Sequence, residues 1–197
     1  AKFWEFVKEG SYEHQEKSTG DKQFYRFNTP SNDQYPFMLE LFSRKLNDMT
    51  LEDDSHLTPI PVDADVLSLS AILLDDDYYE CIEKGKTIID GVPVLGAEYI
   101  LPFKARAWFD LTKRKASGAK VDSKDIKKHR NDVVRIFPLL SPGQRVDIPE
   151  SIKEDMREFL AAMPGEENFD IKGLGIKTLT LAEVISSLLD IYNLGTN

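Results

Sequence analysis

Five side chains stand where their types and spacing could do chemistry. Lys104 lies in "GAEYILPFKARAWFDLTKRK", His129, Arg130 and Asp132 in "KKHRNDVVRI", and Glu40 in "PFMLELFSR". At 100° per residue Ile100, Ala107 and Leu111 set the apolar stripe of the first segment, widened by Phe103 and Trp108, and Lys104 falls inside it. An ammonium there either snorkels along its stem or meets a fixed negative group, since burying it alone costs several kcal/mol. On the second segment Ile126, Val133, Phe137 and Leu140 centre the stripe; His129 and Arg130 fall within it and Asp132 on its border, while Lys128 points more nearly outward. A carboxylate three residues after His129 is expected to hold the imidazole, raise its pKa and keep it positive. In an antiparallel pair the bases of both helices would converge on phosphate oxygens.

The totals frame that reading. The chain has 197 residues, 41% hydrophobic and 30% charged, the composition of a globular protein with a sizeable core. No apolar run approaches the roughly 18 residues of a membrane span, and "AKFWEFVKEG" lacks the layout of a signal peptide. The single cysteine, Cys81, allows no internal disulfide and suits a reducing compartment, so the expected location is the cytoplasm. The net charge of -9 disfavours nucleic acid as a general partner, yet Lys104 to Arg135 holds eleven Lys/Arg against four Asp. One basic segment in an acidic body directs the search for an anionic ligand there.

The strand reading comes next. "KQFYRFN" and "PFMLELFSR" read as two strands of a hairpin, joined by the turn-rich "TPSNDQYP". The second is apolar on both faces apart from Glu40, which predicts burial on both sides and a need for a partner. Arg26 has the parity to pair with Glu40 across the hairpin; the alternative is a carboxylate that holds a divalent metal. "LSLSAILL" reads as a third strand, "DDDYYECIEKG" as a helical turn or two, and "TIIDGVPVL" as a tight hairpin about Asp90-Gly91.

From Ala97 the period becomes helical. Helices are expected from Ala97 to Ala116, from an N-cap at Asp122 or Ser123 to near Pro138, over "PESIKEDMREFLAAM", and after Thr180, whose spacing to Glu183 is that of a capping box. The fold expected is α+β: a truncated nucleotidyltransferase-like α/β part over 1-96 and a helical bundle over 97-197. That name rests on a resemblance. "PFMLELFSR", "YILPFKARAWFDL" and "KHRNDV" resemble the AbiEii/AbiGii-type nucleotidyltransferases of the polymerase-beta-like superfamily, over roughly Phe3 to Leu140.

The resemblance implies metal-dependent transfer of a nucleotidyl group from a nucleoside triphosphate to an RNA or protein acceptor. It implies Mg²⁺ held partly by Glu40, nucleotide phosphates bound by Lys104 with Lys128 and Arg130, and catalytic roles for Asp132 and His129. His129 departs from the pattern, which has an acidic residue at that position. An antitoxin partner or a homo-oligomer belongs to the same expectation. The superfamily's Gly-Ser and Asp-x-Asp signature is absent: Gly10-Ser11 is followed by Asp21-Lys22-Gln23, and "VDADV" with Asp63 and Asp65 lies beyond Glu40. The signature is expected before Ala1 and the chain as given inactive or incomplete. The competing expectation is a non-catalytic module whose basic hairpin 104-135 docks an acidic partner or RNA.

Overall fold

The computed structural model describes residues 2–16, 22–44, 57–60, 69–165 and 169–195. It is a mixed α+β protein, in line with the expected class, and divides into two compact units, 1–79 and 80–197. The division falls inside a helix, upstream of the change in hydrophobic period near Gly96. Asp63 and Asp65 lie outside the described residues.

In the first unit α1 (Lys2–Glu9) precedes a three-stranded antiparallel sheet of β1 (Glu13–Glu16), β2 (Lys22–Asn28) and β3 (Met38–Glu40). Val7 and Phe27 are buried at its centre, and Phe3, Trp4 and Leu39 pack against them. The rings of Phe3 and Trp4 meet Phe27 edge-on at 5.6 and 6.0 Å, the favoured geometry for aromatic quadrupoles. A second sheet sets β6 (Leu69–Leu74) between β4 (Phe42–Arg44), parallel to it, and β5 (Leu57–Ile60), antiparallel to it.

The stretch read as one strand, "PFMLELFSR", is therefore two. β3 pairs with β2 and β4 with β6, and the expected burial on both faces is corrected: Phe37 is 79% and Phe42 47% exposed. Its apolar run serves two sheets, so neither half is enclosed in the way a single central strand would be.

α2 (Asp76–Gly85) starts with the Asp75 side chain accepting from the Tyr78 amide and runs into a hairpin, β7 (Lys86–Ile89) and β8 (Val92–Leu95). Asp90 and Gly91 make its two-residue turn with φ of 51° and 80°, the left-handed pair such hairpins require. A Cβ on Gly85 would overlap the Tyr99 ring, so the entry to the next helix is closed to any larger residue.

α3 (Ala97–Ala116) packs against α4 (Ser123–Ile136) and α5 (Glu150–Ala162), and α6 (Leu181–Ile191) closes the second unit. Trp108 of α3 meets Phe159 of α5 edge-on at 5.2 Å. Asp122 caps α4 by accepting from the Lys124 amide, and Thr180 with Glu183 forms the expected capping box on α6.

Pro102 sits inside α3 and has no N–H to give the Glu98 carbonyl four residues earlier. That carbonyl instead accepts a hydrogen bond from the Tyr192 hydroxyl at 2.5 Å, from a residue 94 positions away. Tyr192 is fully buried, and its burial holds the phenol well above its ordinary pKa. The C-terminal segment thus completes the hydrogen bonding of the helix that carries Lys104.

Candidate functional site at the seam of α3 and α4

Lys104 and Asp132 meet across the seam, Nζ to Oδ2 at 3.1 Å, with side-chain exposures of 28% and 18%. The fixed negative group that Lys104 needed is therefore a carboxylate of the facing helix. Arg135, one turn further along α4, approaches the other Asp132 oxygen at 3.5 Å and keeps its own side chain largely in solvent. One carboxylate is shared by two cations.

His129 is half-buried beside this pair, and its Nδ1 is enclosed with no hydrogen-bond partner among the described residues. Burial chiefly lowers its pKa; the Lys104 ammonium adds to that and the Asp132 carboxylate opposes it less strongly. The expected imidazolium is thus corrected to a neutral imidazole. Asp132 spends its charge on Lys104 and Arg135, and the low polarity around the ring decides the sign.

Arg130 is corrected too. Expected beside a ligand, it is the one charged side chain in the buried set of the described residues, 4% exposed. Its guanidinium carbon stands 4.2 Å from the centre of the Phe169 ring, and Nε and Nη2 donate to Asn131 Oδ1 at 3.3 Å. Arg tolerates this because its guanidinium is planar and weakly hydrated. Lys128 is exposed, as its angular position on the helix required.

Glu40 pairs with Arg26 across β2 and β3 in the register that parity predicted. Arg26 Nε donates to Glu40 Oε1 at 2.6 Å and Nη2 lies 2.5 Å from the same oxygen. A carboxylate engaged in this way does not fit as the anchor of a Mg²⁺ site, and no cluster of three or more His, Cys, Asp or Glu side chains occurs among the described residues.

Sequence reasoning missed three features of the second unit. Trp108 has a buried Nε1 without a partner among the described residues, Arg106 binds both oxygens of Asp155 at 2.7 and 2.9 Å, and Arg135 joins Asp132. Only the last carried a signal, its i,i+3 spacing. Cys81 lines a cavity of about 470 Å³ beside the Lys84–Asp147 pair, and burial pushes its thiol up to about 11. A thiol so placed is a packing residue rather than a nucleophile.

Comparison with protein-family models, with curated proteins and with solved structures finds no significant match. No helix among the described residues is long and apolar enough to cross a membrane.

Proposed function

We propose that the chain is a nucleotidyltransferase-family protein whose α3–α4 seam is the nucleotide-phosphate half of the site. The observation in support is that Lys104 of α3 is held by Asp132 of α4 at 3.1 Å, within the electrostatic reach of a half-buried His129. Lys104 would exchange Asp132 for triphosphate oxygens. The released carboxylate, beside a neutral His129, would then accept a hydrogen bond from an acceptor hydroxyl, RNA or protein, and orient it. Transfer in this family is metal-dependent, and Glu40, tied to Arg26, does not supply the metal site. No step is therefore routed through Mg²⁺, and the described residues bind and orient rather than turn over.

Calorimetric titration with nucleoside triphosphates, with and without Mg²⁺, tests the reading. Lys104→Ala is expected to weaken binding about tenfold, and Lys113→Ala about twofold or less. Equal losses would refute it. Incubation with labelled nucleotide is expected to give no transfer above background.

A second reading is favoured by where the charge ends up. Lys104 and Arg130 are engaged, whereas Lys113, Lys115, Lys124, Lys127 and Lys128 are exposed. These would dock RNA or an acidic protein without catalysis. Binding would then fall steeply with salt, ignore Mg²⁺ and depend on Lys104 no more than on Lys113.

A further inference from the structure

A groove of about 540 Å³ lies elsewhere on the second unit, between the end of α4, the turn at Ser141–Arg145, the loop at Gly175–Leu179 and α6. Its volume is within the roughly 300–1,000 Å³ range of small-ligand pockets. The sides are held by backbone bonds. Gln144 donates to Ser141, Val146 to Ile191 at 2.8 Å, and Ile176 to Ile171. Gly143 and Gly175 turn the two loops at φ of 77° and 102°, a region other residues rarely adopt, so the shape is built into the chain.

The lining joins an apolar floor, with Phe137, Leu140 and Ile176, to two cations, Arg145 and Lys177, and one carboxylate, Asp190. Lys84, Lys104, Arg106 and Arg157 of the same unit each have an acidic partner. Arg145 and Lys177 have no ion pair among the described residues; Arg145 donates only to the neighbouring Gln144 carbonyl, at 2.9 Å. Two uncompensated cations over an apolar floor, in a chain of net charge -9, are complementary to an anion with an apolar body.

We propose that this groove binds a small organic anion, its carboxylate or phosphate set on Arg145 and Lys177 and its ring or chain on the apolar floor. Asp190 adds selectivity: it repels a compact polyanion and rewards a hydroxyl or amine on the ligand's body. The proposal does not rest on the α3–α4 reading.

Phenyl phosphate, inorganic phosphate and phenol are the probes, titrated into the isotope-labelled full chain by NMR. Phenyl phosphate is expected to move the amides of Gly143, Gly175 and Lys177. Phosphate or phenol alone should bind about tenfold more weakly, and the doubly substituted Arg145→Gln/Lys177→Gln chain should lose about tenfold for phenyl phosphate. Both side chains sit at the surface, and an unchanged far-ultraviolet spectrum verifies folding. The same titration in Lys104→Ala separates this groove from the α3–α4 seam. Shifts confined to α3 and α4, equal binding of phenol, or undiminished binding in the double variant would overturn the proposal.

Discussion

Replacing Tyr192 by Phe keeps the fully buried ring and deletes only the hydroxyl that donates to Glu98 O at 2.5 Å. An ordinary hydrogen bond is worth about 1 kcal/mol net, and a buried acceptor left bare costs about 1–3 kcal/mol. The Glu98 carbonyl lacks its ordinary i to i−4 donor, because residue 102 is proline. The expected loss is therefore about 2 kcal/mol. The decisive background is Pro102→Ala. Its new N–H reaches Glu98 O by the ordinary i to i−4 bond, so in that background Tyr192→Phe should cost about 1 kcal/mol or less. Urea denaturation followed by tryptophan fluorescence in a Trp4→Phe chain reads the second unit alone, since Trp108 is then the remaining tryptophan. An equal cost in both backgrounds would show that the hydroxyl does not stand in for the missing amide, and the reasoning would fail.

Three further outcomes follow from the seam and the cavity. His129 should titrate below its ordinary 6.5, higher in Lys104→Met and lower in Asp132→Asn, as read from its NMR ring protons. Because the folded value is depressed, the associated stability is complete above the unfolded pKa of about 6.5 and is lost as the pH falls through it toward the folded value. Asp132→Ala should destabilise by about 1–2 kcal/mol, discounted from a fully buried pair because Lys104 keeps partial access to water, and Lys104→Met in the same chain should recover part of this in a denaturation cycle. Cys81, 2% exposed and with its thiol raised to about 11, should react with a thiol reagent at pH 8 about a hundredfold more slowly than in urea; a fast native reaction would refute its burial.

Much of this architecture was legible where a single period governs. The limits of α3, the Asp122 cap and the Thr180–Glu183 box follow from local chemistry, and the structure bears them out. The parity of Arg26 and Glu40 held because a strand alternates faces strictly, and the two side chains form the cross-strand ion pair. Reading failed where a segment answers to two environments. The run from Phe37 to Arg44 is divided between sheets, which no periodicity within it reveals. Angular position placed His129 and Arg130 on the seam but not their charge state or depth. Those depend on how closely Phe169 and α3 cover them, and Phe169 is 39 positions from Arg130. Tyr192 and Glu98 share no local signal; only Pro102 marks that a carbonyl there needs a distant donor.

The shared carboxylate also orders the substitutions this seam can survive. A chain that first loses Lys104 still has Arg135 to neutralise Asp132, so the step is tolerable. A chain that first loses Asp132 leaves the Lys104 ammonium beside a half-buried imidazole without its ion-pair partner. For folding stability alone, a neutral residue at 104 opposite an intact Asp132 is therefore the milder halfway form, and the reverse pairing the costlier one.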